Sequence, residues 1–302
     1  GTCLEAFKKN GFKVCGVDPA QLPAKIAMEK DIFTINGFFN KETSNKIITK
    51  FGKADLITSQ NVLAHVDNLR ETFNNIYKLL KNQGFFVFEI GYFRSVLELG
   101  CFDTIYHEHL DYHHANPLVN FLNSIGFSVI DISTNKIQGG TLRILSKKKI
   151  NIQNEKRVIN FLKKEKKGIL YNFQKIQKNV IKFQENLKKV NIKILELKKK
   201  NQTIIGYGSP TKAALLASII KINSNLIKYT IEDNQLKLNK YIPGTNIKIK
   251  KISKNDINSC NFIFLFAWNF EKDIVNKLKA IKEKNVKIHI IVPLSKMKIY
   301  EI

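Results

Sequence analysis

Apolar residues recur along the chain in two alternating patterns. Short apolar runs predict buried strands, and the stretches between them carry apolar residues three and four positions apart, as one face of a helix does. The strands are predicted at residues 12–17, 32–35, 54–59, 84–90, 127–132 and 140–145. The clearest helix is predicted over 68–80, and another covers 117–125. Strands that alternate with helices are typical of an α/β fold with a doubly wound sheet.

The pattern changes at residue 152 and again near residue 203. Between 152 and 200, polar residues alternate with apolar ones at helical spacing and proline is absent, which predicts one or two long helices. Strands at 204–205, 227–231, 262–266 and 287–292, with helices at 213–220 and 272–281, then predict a small parallel sheet. We therefore expect three parts: a first α/β domain over 1–150, a helical linker over 151–200 and a second α/β domain over 201–302. The long helices are expected to bridge the domains or to support self-association.

Composition narrows the class of protein. The chain has 302 residues, 44% of them hydrophobic, which is enough for two domains. No apolar run reaches the length of a membrane span, and no secretory signal pattern is present. The four cysteines form no CxxC pair, which argues against a zinc knuckle or a disulfide framework within these residues. We expect a cytoplasmic protein with no membrane partner.

The net charge of +25 first suggests a nucleic-acid partner. Lysine supplies nearly all of it, however, because only four of the 50 basic residues are arginine. Arginine is the favoured residue for bidentate recognition of phosphates and bases. We therefore expect no nucleic-acid partner and read the excess charge as favouring small anionic substrates such as nucleotide diphosphates.

Four of the six histidines fall between residues 105 and 114. Proton abstraction beside a carbonyl needs an imidazole, a carboxylate that orients it and a phenol that can donate to a developing enolate. Tyr106, Glu108 and His109 supply those groups. A metal site of His107, Glu108 and His109 with His113 or His114 is the alternative, although the spacing is not HExxH. Singly, His107, His113 and His114 are also read as packing residues.

Two further signals suit nucleotide binding. Asp18 ends a predicted strand some 17 residues after Gly1, as acidic residues that hold ribose hydroxyls do, although aspartates also end strands for structural reasons. The glycine turn 206–212 opens a helix whose N–H groups, with Lys212, can cradle a phosphate. Glycine is used in such turns for steric reasons as well. His65, after Asn61, is either a core histidine or a neighbour of a cofactor.

These motifs together resemble a known family, the S-adenosylmethionine-dependent C-methyltransferases that act on nucleotide-linked 4-keto-deoxysugars. The residues that carry the resemblance are Gly16-Val17-Asp18-Pro19-Ala20, Asn61-Val62-Leu63-Ala64-His65-Val66, Phe102-Asp103-Thr104-Ile105-Tyr106-His107-Glu108-His109-Leu110, Gly139-Gly140-Thr141-Leu142-Arg143, Gly206-Tyr207-Gly208-Ser209-Pro210-Thr211-Lys212, Tyr241-Ile242-Pro243-Gly244-Thr245 and Phe266-Ala267-Trp268-Asn269-Phe270. They span essentially the whole chain. One departure is Gln138, where the family often has histidine.

The resemblance implies a class I, Rossmann-like methyltransferase core over 1–150, joined by the long helices to a smaller Rossmann-like domain over 201–302 that binds the nucleotide sugar. It also implies a zinc-binding domain, a first core strand and most of a glycine loop upstream of Gly1. We expect zinc only in that upstream segment, with ligands of the CxxC type. Gly1 and Thr2 would match the end of the loop.

The resemblance also implies roles for single residues. His109 is the expected base, and Glu108 and Tyr106 bind or polarise the keto sugar. For the cofactor, S-adenosylmethionine, Asp18 is expected to bind the ribose, Phe38 to pack near adenine, and Gly1 and Asn61 to line the pocket. The substrate diphosphate is assigned to Gly206, Gly208, Ser209 and Lys212. The reaction needs no metal.

Two other functions stay open at this point. One is an NAD-dependent sugar oxidoreductase or epimerase that uses 206–233 as its dinucleotide site, although the third glycine of GxGxxG is missing. The other is a catalytically silent binding or assembly subunit. The leading expectation is methyl transfer to C3 of a nucleotide-linked 4-keto-deoxysugar through an enolate.

Overall fold

The computed structural model of the chain describes residues 1–135, 139–149 and 153–302. Two compact units are present. Unit 1 contains residues 1–92, 110–135, 141–149 and 153–166, and unit 2 contains residues 93–109, 139–140 and 167–302. Both units contain helices and strands, which confirms the α/β class. The expected boundaries at residues 150 and 200 stay predictions.

Helices and strands alternate along most of unit 1. Its helices are α1 (Thr2–Lys9), α2 (Gln21–Glu29), α3 (Lys41–Phe51), α4 (Leu69–Leu79), α6 (Ala115–Ile125) and α7 (Lys156–Lys166). Its strands are β1 (Gly16–Asp18), β2 (Thr34–Asn36), β3 (Ala54–Gln60), β4 (Leu80–Gly91), β5 (Phe127–Asn135) and β6 (Thr141–Lys148). Strands β1 and β2 form a parallel pair, and a second sheet has the order β3-β4-β6-β5. In that sheet β3 and β4 are parallel, whereas β6 runs antiparallel to both of its neighbours.

Two strand predictions in unit 1 are corrected. The first strand was expected to be buried over 12–17, but β1 begins only at Gly16 and is half-buried. Phe12 is 60% exposed and packs edge-on against Phe7 of α1, with ring centroids 5.7 Å apart, so its apolar side chain covers a helix and not a sheet core. The second strand lies at Thr34–Asn36, two residues later than expected.

The core of unit 1 explains the helix pattern seen in the sequence. Asn68 caps α4 by accepting a hydrogen bond from the Glu71 amide. One face of α4 then places Phe73 edge-on against Phe86 and Phe88 of β4, with ring centroids 5.6 and 5.7 Å apart. Aromatic pairs in this arrangement add to the stabilisation that burial alone provides.

Unit 2 is built on one sheet with helices on both faces. Its helices are α5 (Phe93–Leu99), α8 (Phe173–Lys199), α9 (Ala213–Ile220), α10 (Lys254–Asn258) and α11 (Glu271–Ile281). Its strands are β7 (Ile204–Tyr207), β8 (Thr230–Glu232), β9 (Tyr241–Ile242), β10 (Ile247–Lys251), β11 (Phe262–Leu265), β12 (His289–Val292) and β13 (Lys298–Glu301). The strand order is β13-β12-β11-β7-β8-β10-β9. Only the edge strands β9 and β13 pair antiparallel within this described sheet.

Unit 2 has two hydrophobic cores, one on each face of its sheet, and alternating side chains of β11 pack into both. Phe264 joins α8 and α9 in one hydrophobic cluster, whereas Ile263 and Leu265 join α10 and α11 in the other. A strand buried on both faces reads as a continuous apolar run, which is why 262–266 was recognised in the sequence. The sheet is larger than expected, since β9, β10 and β13 were not predicted. Within the described residues, no helix combines the length and apolar character needed to cross a bilayer.

Candidate active site

The first part of the histidine-rich segment, up to His109, lies in unit 2 and follows a tight turn at Phe102–Thr104, whereas His113 and His114 lie in unit 1. His109 Nδ1 lies 2.8 Å from the backbone oxygen of Thr104. A carbonyl oxygen can only accept, so Nδ1 must carry the proton, and the neutral ring has its basic lone pair on Nε2. The expected base is therefore held in one tautomer by the backbone of its own segment.

Tyr106 is brought close to His109, as the sequence predicted. Their ring centroids are 4.5 Å apart, and the His109 amide donates to the Tyr106 carbonyl at 3.0 Å. Tyr106 and His109 are half-buried, whereas His107 and Glu108 are exposed. A phenol and an imidazole that share a half-buried surface can act on the same carbonyl compound, one as donor and the other as base.

A buried carboxylate anchors the start of this segment. Asp103 Oδ2 forms an ion pair with Lys212 Nζ, 3.0 Å away, and accepts a hydrogen bond from Trp268 Nε1 at 2.7 Å. The Lys212 ammonium also lies 4.3 Å from the centroid of the Trp268 ring. Asp103 and Trp268 lie inside two of the motifs quoted above, but sequence reasoning assigned them no role. Two features of the sequence could have pointed to them: Asp103 lies close to the histidine-rich segment, and Trp268 is the only tryptophan of the chain.

The glycine turn has a steric reason for both of its glycines. Gly208 has φ +83°, and a Cβ there would meet the Cβ of Ala267 at 2.6 Å. A Cβ on Gly206 would meet Phe266 at 2.7 Å and the Thr230 hydroxyl at 2.8 Å. The turn therefore needs glycine to pack against the ends of β11 and β8, whatever ligand it binds.

The polar groups of the turn have protein partners. Glu232 accepts from the backbone amide and the hydroxyl of Ser209, at 2.8 and 2.7 Å. Burial raises the pKa of Glu232, but the hydrogen bonds from Ser209 and from the amides of Asn234 and Asp233 outweigh it, so the pKa lies below its ordinary value. Because Glu232 is satisfied within the protein, the dinucleotide alternative gains no support from this turn.

The expected cofactor residues lie in unit 1. Asp18 ends β1, and its Oδ1 accepts from the Ala20 amide at 2.9 Å, which fixes the direction of the carboxylate. Phe38 is 75% exposed, while its carbonyl accepts from the Thr43 hydroxyl at 3.1 Å. An oriented carboxylate and an exposed aromatic ring are the groups that ribose hydroxyls and adenine require, so these residues fit the implied cofactor.

Asn61 and Gly1 complete that group. Asn61 follows β3 and has a left-handed backbone conformation with φ +51°. Its backbone N–H donates to the Glu89 backbone carbonyl at 2.8 Å. Non-glycine residues seldom adopt this conformation, and asparagine does so more readily than most. The Gly1 carbonyl accepts from the Glu5 amide at 2.8 Å at the start of α1. The roles assigned to these two residues stay predictions, as do those of Asp18 and Phe38.

The remaining histidines have different surroundings. His114 Nδ1 donates to Glu165 at 3.0 Å, so it supports the structure of unit 1. Burial lowers the pKa of His113. His65 is exposed at the end of a short turn, so the core alternative for it is wrong. No set of three or more histidine, cysteine, aspartate and glutamate side chains in the described part of the chain is arranged to hold a metal ion. Gln138 lies outside the described residues.

Comparison with protein families gives two matches. The family described as the C-methyltransferase C-terminal domain matches residues 136–293, and a methyltransferase domain matches residues 1–132. Among curated proteins, the C-methyltransferase NovU of Streptomyces niveus is 28% identical over 299 residues. That alignment covers 97% of this chain and 70% of NovU.

Solved structures resemble part of the chain more distantly. A methyltransferase from Archaeoglobus fulgidus has 17% identity and a TM-score of 0.40, covering 48% of this chain and 80% of its own. A methyltransferase from Thermotoga maritima, a possible histamine N-methyltransferase, has 17% identity and a TM-score of 0.35, covering 45% of this chain and 73% of its own. Both are described as dependent on S-adenosylmethionine.

Proposed function

The chain belongs to the S-adenosylmethionine-dependent C-methyltransferases, and we propose that it methylates the carbon beside the ketone of a nucleotide-linked 4-keto-deoxysugar, with C3 as the leading position. The observation that carries the proposal is the 2.8 Å contact between His109 Nδ1 and the Thr104 carbonyl. This contact supports a base whose lone pair is on Nε2. A carbon next to a ketone is acidic enough to lose a proton to such a base.

His109 Nε2 removes the proton beside the ketone, and the electrons of the broken C–H bond pass into an enolate. Tyr106 donates a hydrogen bond to the enolate oxygen, where negative charge develops. Glu108 orients the sugar or the imidazolium that forms. S-adenosylmethionine, when bound, supplies the methyl group that the enolate carbon takes, with the C–S electrons leaving on sulfur. Asp18, Phe38, Asn61 and Gly1 hold and orient this cofactor.

The nucleotide part of the substrate is assigned to unit 2. The sequence assigned the diphosphate to Gly206, Gly208, Ser209 and Lys212; to bind it, Ser209 and Lys212 would have to exchange Glu232 and Asp103 for phosphate oxygens. The overall positive charge supports capture of a dianion. Action in the cytoplasm, the absence of a nucleic-acid partner and self-association through α7 and α8 stay predictions.

The test of this function is the variant His109→Asn. We expect turnover to fall by about two to four orders of magnitude, the usual contribution of a general base. Exchange of the acidic C–H of the substrate with deuterated water, followed by NMR, should be lost in parallel. Both ligands should still bind, because an amide fills similar space.

His107→Asn is the matched control, since it makes the same change two residues away at an exposed side chain. It should leave turnover and exchange close to those of the wild type. Glu108→Gln should reduce turnover less than His109→Asn. If the His109 variant retains near-normal turnover while Tyr106→Phe abolishes exchange, the phenol is the base and the assignment of His109 is wrong.

A further inference from the structure

Three residues far apart in the sequence of unit 2 meet at one buried carboxylate. The Asp103 side chain is 0% exposed, and its Oδ2 pairs with the Lys212 ammonium at 3.0 Å and accepts a hydrogen bond from Trp268 at 2.7 Å. Lys212 immediately precedes α9, in the turn after β7, and Trp268 opens the turn after β11. The carboxylate is therefore tied to the segments that follow two neighbouring strands in the middle of the seven-stranded sheet.

The residue after Asp103 holds the ring of the expected base. The Thr104 carbonyl accepts from His109 Nδ1 at 2.8 Å. Thr104 is itself fixed to the same turn, because its amide and its hydroxyl both donate to the Cys101 carbonyl, at 3.1 and 2.8 Å. A displacement of Asp103 would thus move the carbonyl that sets the tautomer and direction of the imidazole.

We propose that Asp103, Lys212 and Trp268 are positioning residues for His109, and that Lys212 serves this anchor and not the substrate diphosphate. The proposal rests on the proposed function of His109 as the base. The ammonium, the indole N–H and the carboxylate hold the turn Phe102–Thr104 in place, and the turn holds the imidazole. Errors of about 1 Å in such positions can reduce turnover about a hundredfold.

The burial of the ion pair favours this role over phosphate binding. The Lys212 side chain is only 12% exposed, and it also packs over the Trp268 ring. To reach a phosphate, the ammonium would have to leave a carboxylate that is removed from solvent. A buried charge without its partner is strongly destabilising, so the internal pair should persist when substrate binds.

The first experiment measures the imidazole ring and needs no substrate. Long-range ¹H–¹⁵N correlation spectra report which ring nitrogen carries the proton, and His109→Asn identifies the signals of His109. We expect the Nδ1–H form in the wild type and a mixture of both tautomers in Lys212→Met. Lys254→Met is the matched control, because it removes an exposed lysine paired with Glu283 at 3.1 Å in the same unit. It should give the wild-type spectrum.

The second experiment separates positioning from substrate binding. Lys212→Met should lower kcat by about 10- to 100-fold, with the KM for the nucleotide sugar changed less than about threefold. Lys212→Arg, which preserves the charge, should recover part of kcat. A raised KM with unchanged kcat and an unchanged His109 spectrum would make Lys212 a diphosphate ligand and would overturn the proposal.

Trp268→Phe provides a second variant if Lys212→Met does not fold, as judged by circular dichroism. It keeps an aromatic ring at this position, although a smaller one, and removes the N–H donor, so kcat should fall about 3- to 10-fold with the same change of tautomer. An unchanged tautomer in a folded Trp268→Phe would also overturn the proposal. If the wild type transfers no methyl group to a keto sugar, the proposed function fails, whereas the spectrum still decides whether Lys212 positions the ring.

Discussion

Each unit contains a carboxylate that is fully buried, and the two are satisfied in opposite ways. Glu165 of unit 1 accepts from the amides of Ala115 and Asn116 at the start of α6, and from Tyr92, His114 and the Asn116 side chain, at 2.8 to 3.0 Å. Both of its oxygens are used. Asp103 of unit 2 has two donors, both on Oδ2, and its Oδ1 has no hydrogen-bond partner within the described residues.

The difference lies in what kind of group donates. Two of the donors to Glu165 are backbone amides, which every substitution except proline retains, and they belong to the start of a helix, where amides lack partners inside the helix. The donors to Asp103 are side chains from two other segments. Glu165 ties α7 to the start of α6 and to Tyr92, whereas Asp103 ties the turn Phe102–Thr104 to the segments that contain Lys212 and Trp268. Both carboxylates are fully buried, so the identity of their donors, and not burial, separates the two roles.

The largest effect is expected from Glu165→Ala. The change leaves several buried donors without an acceptor, so we expect the free energy of unfolding to fall by about 3–5 kcal/mol. Urea unfolding followed by circular dichroism measures it. Glu42→Ala, at an exposed glutamate paired with Lys46 in the same unit, should produce no measurable change. If the free energy of unfolding falls as little in Glu165→Ala as in the control, the role assigned to Glu165 is wrong.

A smaller and recoverable loss is expected at Asp103. Asp103→Ala should reduce the free energy of unfolding by about 2–3 kcal/mol, because Lys212 remains as a largely buried charge. Adding Lys212→Met should restore at least half of that loss, and a double-mutant cycle measures the coupling. In unit 1, adding His114→Phe to Glu165→Ala should restore little, since the backbone amides stay unpaired. Purely additive losses at Asp103 and Lys212 would show that the pair is not coupled.

The glycine turn before Lys212 provides a test of how strongly packing constrains this part of unit 2. Gly208→Ala should destabilise the protein by about 2–3 kcal/mol, because the new Cβ meets Ala267 at 2.6 Å and φ is +83°. Gly244→Ala is the control, because φ is +73° there and nothing lies within 4 Å of the new Cβ. It should cost about 1 kcal/mol, so the difference in melting temperature isolates the steric part. Equal losses would mean that packing against β11 does not constrain the turn.

The most gradual effect concerns pH. Burial raises the pKa of Glu165, but the hydrogen bonds from His114, Ala115 and Asn116 outweigh it and lower the pKa to about 2 from an ordinary value of 4.5. Since the folded pKa is depressed, this stabilisation is complete above pH 4.5 and is lost as the pH falls towards 2. As the pH is lowered, protonation of this group should therefore reduce the free energy of unfolding by at most about 1.4 kcal/mol per pH unit. In Glu165→Gln that part of the slope should vanish, and parallel curves for variant and wild type would contradict the assignment.

Much of the fold could be predicted because periodicity is local. Strand β11 and helix α4 were recognised from apolar spacing, and the ends differ from the expected ones by a residue or so. Strand β10 was missed although Ile247 and Ile249 alternate with lysines, and β13 was missed at the sheet edge. These strands are short and lysine-rich, so their burial depends on which neighbour they pair with. The first strand was placed too early because Phe12 packs on a helix.

The candidate site, like the fold, could be predicted only in part from the sequence. The family, the α/β class and the segment that holds Tyr106, Glu108 and His109 could be recognised without a structure, because motifs and apolar periods are properties of neighbouring residues. The pairing of Lys212 with Asp103, which Trp268 approaches from 165 positions away, is visible only in the folded chain. The same holds for the hydrogen bond that Ser209 donates to Glu232. A hydrogen bond requires two groups within about 3 Å of each other, and the folded chain alone sets that distance for residues so far apart.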